Sequence, residues 1–266
     1  MKKIITLMLS VLLLCSLFGG SVLAKDYKIG FANLDDSVAF AQKVKQGIKE
    51  KCEEMGIELI TADNKLDGPT ALQNAESFIL RGVDGVIEFQ TDEKFAPVLM
   101  DKFNAKNIPV IAIDIPHEGA VFFGANNYEA GLLAGEGLGK WVNKNWNGEL
   151  DAIVSLELPQ SGEVVMKRSQ GMLDGLLDTL EKDVAEDMIF RKDCHHTQEK
   201  SKQVIDDLLT KIPRDSKIGF ICVQDMAALG AIAALETAGR EENGIVASQN
   251  CGPEAINELV RPGTRL

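Results

Sequence analysis

The chain has 266 residues, with 28 Lys and Arg against 40 Asp and Glu and 45% apolar residues, which is a globular composition. A net charge of −12 repels a phosphate backbone, and no Lys/Arg cluster interleaved with aromatics offsets it, so nucleic acid is excluded as a partner.

Residues 1–24 read as a removable export leader. Lys2 and Lys3 form a basic start, Ile4 to Phe18 an apolar run, and Gly19 to Ala24 a small-residue ending. The apolar run is shorter than the ~20 residues a bilayer span needs, and no later segment is apolar enough to make one. Cleavage after Ala24 leaves 242 residues and removes two bases but no acid, giving a mature charge of −14. Cys15 follows Leu14 where a lipoprotein signal has a small residue, so no lipid anchor is expected. A periplasmic or extracellular location follows. There, Cys52, Cys194, Cys222 and Cys251 permit one bridge, although buried small hydrophobes are the simpler reading.

From Tyr27 onward a short apolar run, a polar turn and an amphipathic stretch recur as a βα unit. Strand Lys28 to Leu34 precedes a helix from about Val38 to Met55, stopped by Gly56, and strand Ile57 to Ala62 follows. A helix runs from Pro69 to Gly82, then strand Gly85 to Phe89, a helix from about Glu93 to Ala105, and a strand from Asn107 to Asp114. Residues 122–127 read as a bridging stretch, after which a helix from Tyr128 to about Val142 restarts the pattern. The second set has strands Ala152 to Leu156, Met188 to Arg191, Ile218 to Val223 and Ile245 to Gln249. Helices from about Val164 to Leu180, Gln198 to Lys211 and Met226 to Ala238 separate them. Strands alternating with helices build a parallel sheet wound on both faces. The prediction is therefore an α/β protein of two doubly wound parallel-sheet lobes joined by a hinge. Residues 25–125 form the first lobe and 126–248 the second, while 249–266 form a return crossing that begins to complete the first. The polar ending, a turn after a short helix, is expected to mark a shortened chain whose last part is missing.

Open parallel sheets bind ligands at the carboxyl ends of their strands. The loops there hold Asp35 and Asp36 with Phe40, then Gln90, Asp114, Gln224 with Asp225, and Gln249 with Asn250. Short acceptors and amides suit hydroxyl recognition, because a carboxylate accepts from two neighbouring hydroxyls while Asn and Gln both donate and accept. Capping of the following helices is the competing use for each one. Arg168, early in its helix, either directs a fork of donors at a ligand or sits solvated on a helix face.

Other motifs point elsewhere. In Gly135 to Lys140 the residue after Gly-Lys is Trp141 and the run lies mid-helix, so no phosphate loop is formed. Gly131, Gly135 and Gly139 instead form a ridge for close packing that must offset up to about 1 kcal/mol of helix propensity each. Cys194, His195 and His196 lack a recognisable metal-ligand spacing, although a cleft-facing imidazole there could bond or stack on a ligand. Trp141 and Trp146 read as core or interface. No cofactor is expected.

Several segments carry a family resemblance. They are Phe40 to Gly47, Arg81 to Ile87, Asn107 to Asp114, Gln224 to Ala231 and Asn250 to Pro253, and the likeness runs from Tyr27 to the end. Through them the chain resembles the periplasmic sugar-binding proteins of the ribose-binding type, the substrate-binding components of ABC transporters. The resemblance implies two lobes joined by three crossing segments, with a sugar held between them. Of the three, those near 114–126 and near Gln249 are present and the third is missing. It further implies Phe40 as a stacking aromatic, Asp114 as a hydroxyl acceptor, Arg168 as the cleft arginine, and Gln224 and Asn250 as polar contacts. Ile115 stands where ribose binders carry Arg, and Asn250 where they carry Asp, which disfavours ribose itself.

The function expected is capture of a sugar or similar polyol by hinge closure and delivery to an ABC permease, by a monomer that meets the membrane only through that permease. A sugar-sensing module presenting its ligand to a chemoreceptor or sensor kinase is the alternative. A secreted hydrolase is disfavoured, since GxSxG and any ordered Ser/His/acid set are missing from the sequence.

Overall fold

The computed structural model describes residues 27–90 and 92–266; the expected leader lies outside them. The chain opens with β1 (Lys28–Asn33), whose last four residues are all buried. Such a run is what a parallel strand covered on both faces requires. After α1 (Ala39–Met55) the backbone turns at Gly56, where φ is 68°, the left-handed stop expected there. Next come β2 (Glu58–Asp63), α2 (Gly68–Leu80), β3 (Gly85–Glu88), α3 (Ala96–Asn104), β4 (Val110–Ile113) and β5 (Val121–Phe123). All five strands are parallel, in the order β2-β1-β3-β4-β5. The strand β5 lies in what the sequence presents as a bridge. Its three exposed residues pair with Ile111 to Ile113, too short a run to show a period.

The second lobe repeats the plan. It contains α4 (Asn127–Trp146), β6 (Ala152–Glu157), α5 (Gly162–Thr179), β7 (Ile189–Asp193), α6 (Gln198–Leu209), β8 (Ile218–Cys222), α7 (Asp225–Ala238), β9 (Gly244–Ala247) and α8 (Pro253–Leu259). Its parallel sheet runs β7-β6-β8-β9. Each sheet is covered on both faces. In the first lobe Phe78, Leu99 and Phe103 pack on one side and Phe31, Phe89 and Ile113 on the other. In the second, Ile205, Phe220 and Leu235 oppose Met172, Leu176 and Ile221. Each such side chain, once buried, contributes about 1.5–3 kcal/mol. Strand order reverses between β1 and β3 and again between β6 and β8, which sets a ligand crevice at the carboxyl end of each sheet.

Residues 253–266 lie against the second lobe in this structure. Val246 N, on the edge strand β9, donates to Arg265 O at 2.6 Å. Ala255 is buried and Leu266 packs on the second-lobe core. Cys52, Cys194 and Cys222 are buried free thiols, and Cys251 is free and exposed. Trp141 and Trp146 meet edge to face, 5.1 Å between centroids, against the second-lobe core. No described helix is long and apolar enough to cross a membrane.

The glycine ridge does what its spacing suggests. A Cβ on Gly131 would lie 2.2 Å from Arg168 O, and one on Gly135 2.0 Å from Met172 O. Gly171 and Gly175 answer from α5, each with a Cβ position 2.2 Å from an α4 carbonyl oxygen. Backbone packs on backbone, and this contact seats the helix that carries Arg168.

At the end of β3, Glu88 is fully buried and accepts from Asn64 Nδ2 at 2.8 Å. Asn74 Nδ2 in turn donates to Asn64 Oδ1 at 2.9 Å, while Glu88 Oε2 has no partner among the described residues. Burial outweighs the Asn64 bond and pushes the Glu88 carboxyl up to about 8. The folded protein therefore holds a proton that the unfolded chain releases above about pH 4.3. Stability from this residue is full below that pH and erodes as pH rises toward 8. Between pH 5 and 8 the wild type should lose on the order of 3 kcal/mol more than Glu88→Gln, read from urea unfolding at each pH. Parallel losses in both proteins would contradict the buried neutral acid.

Candidate functional site

The two crevices open into one cavity of about 110 Å³ lined from both lobes. That is small beside the ~300–1,000 Å³ of drug-sized sites. The lobes also touch at the rim, where Gly162, at the start of α5, lies against the Glu93 carboxylate; its φ of 83° is what favours glycine there.

Five of the eight candidate residues line the cavity: Phe40, Asp114, Arg168, Gln224 and Asn250. The other three do not. Asp35 accepts from Ser37 N at 2.7 Å, and Asp36 accepts from Asn33 Nδ2 at 2.7 Å and Lys45 Nζ at 2.6 Å. Gln90 is buried and bonds both ways with the Asp92 backbone, donating to its carbonyl at 3.2 Å and accepting from its N–H at 2.6 Å. The expectation that every strand-end loop sends a polar group into the cleft is corrected accordingly. Short side chains at strand ends close their own turns first.

Arg168 is half-buried, not solvated. Its Nε donates to Asn127 Oδ1 at 2.9 Å, and its Nη1 to Val223 O at 3.0 Å and Asn250 Oδ1 at 3.4 Å. Among the described residues Nη2 has no partner. Burial lowers the Arg168 pKa and the Asp114 charge opposes that; burial raises the Asp114 pKa and Arg168 opposes it. The two feel each other's charge, yet no ion pair within 4 Å joins them among the described residues. An acceptor and a donor fork thus flank a gap that a hydroxyl-bearing group fits.

The sequence reading missed one supporting residue, Asn127, and named a second, Asp225, only as one of the strand-end loop acceptors. Asn126 caps α4 through Glu129 N at 3.3 Å, which leaves the adjacent Asn127, buried, free to hold Arg168. Two successive Asn at a helix start are the available signal, since only one can be the cap. Asp225, buried at the start of α7, accepts from Ser248 Oγ at 2.8 Å and Gly252 N at 2.6 Å. It thereby anchors the loop that presents Asn250.

The loop histidine also reaches the cavity. His196 lines it, and burial lowers its pKa, with Asp193 and Asp92 opposing and His195 assisting, so the imidazole is neutral at pH 7. Among the described residues no group of three His, Cys, Asp or Glu side chains could hold a metal ion. Phe40 stands nearly perpendicular to Phe89, 84° at 6.2 Å between centroids. Four cavity residues have left-handed backbone: Leu66 (φ 54°), Asp114 (61°), His196 (63°) and Asn250 (99°). Such conformations cost about 1–3 kcal/mol each and cluster where binding groups must be aimed.

A family model for the periplasmic binding protein domain matches residues 29–264. The ribose import binding protein RbsB of Escherichia coli K12 is 23% identical, over 97% of this chain and 84% of its own length. The galactofuranose-binding protein YtfQ of the same strain is 24% identical, over 82% of this chain and 68% of its own. An ABC transporter solute binding protein from Burkholderia multivorans has a TM-score of 0.79 at 20% identity, covering 91% of this chain and 86% of that one. For the Caulobacter myo-inositol binding protein, solved with myo-inositol, the values are 0.74 and 19%, covering 91% and 80%. The structural likenesses carry the fold, and with the family match they settle the lineage: this chain belongs to the periplasmic binding protein domain family, a family of binding proteins.

Proposed function

We propose that this protein is an exported binding protein that captures a monosaccharide or similar small polyol between its lobes and hands it to an ABC permease. The observation that carries this reading is the meeting of Asp114 from the first lobe with Arg168, Gln224 and Asn250 from the second around one small cavity. The import role of the ribose-binding relative favours uptake over sensing, and the inositol-binding structure favours a small polyol as the ligand. The segments near 114–126 and 248–250 act as the hinge. An open form exposes both walls, the ligand touches both, and its contacts available only in the closed form shift the population. The protein works as a monomer, and no bond is made or broken. A thermal-shift panel of monosaccharides and inositols tests this. At 100 times its dissociation constant the true ligand adds about 2.7 kcal/mol, roughly 5–10 °C for a chain of this size. No shift with any panel member would overturn the reading.

A further inference from the structure

Among the cavity side chains only His196 ordinarily titrates near neutral pH. It sits on the loop between β7 and α6, and that loop is pinned. Cys194 N donates to Glu157 O at 2.9 Å, Ser201 Oγ to Cys194 O at 3.3 Å, and His195 N to Asp193 Oδ1 at 2.8 Å. His195 and His196 both hold left-handed backbone, with φ 50° and 63°. The second lobe thus presents a half-buried imidazole to a cavity that the first lobe lines with Leu34, Val38, Phe40, Leu66, Phe89 and Asp114. When the lobes part, that lining leaves and water replaces it.

The neighbouring charges decide which state closure prefers. Asp193 and His195 belong to the same loop and act on His196 alike whether the lobes are apart or together; His195 Nδ1 lies 3.4 Å from Asp193 Oδ2. Across the gap, Asp92 favours an imidazolium, but Lys94 Nζ already pairs with it at 2.8 Å. Glu93 lies at the rim against Gly162. Asp114 and Arg168, one from each lobe, carry opposite charges that feel each other. What closure changes most is therefore solvation, and burial is the largest influence on His196, acting against its charged form. Resting on the sugar-binding reading above, we infer that His196 couples capture to pH: the lobes close on the sugar while the imidazole is neutral, and uptake of a proton from solvent favours the open form and releases the sugar. Closure on the sugar near pH 6.5 then returns that proton to the buffer.

The test is titration calorimetry of the full chain with the panel's best sugar at about pH 7.5 and about pH 5, in the wild type and in His196→Asn, since Asn adopts a left-handed backbone readily. The wild type should bind about three- to thirtyfold more weakly in acid, thirtyfold being the ceiling for a group whose ordinary value is 6.5. Both proteins keep Asp114, so any loss from that carboxylate appears in both, and the loss in His196→Asn should be smaller by about threefold or more. Wild-type titrations near pH 6.5 in buffers of different ionisation enthalpy should show net proton release on binding, a readout that stands even if the variant binds nothing. Equal losses in the two proteins, or no proton released by the wild type, would overturn the coupling while leaving sugar capture standing. Binding of no sugar at either pH would overturn both.

Discussion

Arg168→Lys is expected to weaken binding of the selected sugar about ten- to a hundredfold in titration calorimetry, although the charge is kept. The guanidinium is held in plane on two sides: Nε is fixed by Asn127, and Nη1 by Val223 O and Asn250. That leaves Nη2 as a preset donor edge across the gap from Asp114. Lysine offers a point charge on a flexible stem and cannot satisfy Asn127, Val223 O and the ligand together. Losing one charge-assisted hydrogen bond of about 1.5–3 kcal/mol gives the stated range. Unchanged affinity would show that Arg168 faces the cavity without gripping what enters it.

The second large effect runs against helix propensity. Gly135→Ala should lower the thermal midpoint by about 4–8 °C, even though alanine favours a helix interior by about 1 kcal/mol. Its Cβ would lie 2.0 Å from Met172 O and 2.8 Å from Leu176 N, backbone atoms of α5 that cannot rotate away. Separating two helices packed this closely costs about 3 kcal/mol, the upper end of ordinary overpacking, and a chain of this size loses ~2–4 °C per kcal/mol. Gly137→Ala, on the same helix but with nothing within 4 Å of its Cβ position, should instead stabilise by up to about 1 kcal/mol. Equal changes at both positions would mean that propensity alone governs this helix. The packing bears on the site as well, because Gly131 lies under the Arg168 carbonyl.

The lobes were legible because buried parallel strands are short apolar runs separated by amphipathic stretches, and each run from Lys28 to Ala247 found its strand. Val121 to Phe123 was not legible: a three-residue edge strand has no period, and its meaning comes from pairing with Ile111 to Ile113. Nothing local in the tail signals that the Arg265 carbonyl will accept a hydrogen bond from Val246 of β9. At the cavity, the resemblance pointed to Phe40, Asp114, Arg168, Gln224 and Asn250, and the fold brings all five to its wall. Asp35, Asp36 and Gln90 have equally suitable chemistry at equally suitable strand ends. Which way a short polar side chain turns depends on the bonds its own loop leaves unfilled, and those appear only once the backbone is placed. Asn127 and Asp225 bind their neighbours, so their residue types alone read as caps.

The claim most in need of measurement is that one sugar is gripped from both lobes at once. Titration calorimetry of the panel's best ligand against the wild type and Asp114→Asn tests it, since Asn tolerates the left-handed backbone at φ 61° while losing the carboxylate. The expected result is one site per chain in the wild type and an affinity about ten- to a hundredfold lower in the variant. Full affinity in Asp114→Asn would show that the first lobe's carboxylate does not grip the ligand and would contradict a polar grip from both lobes.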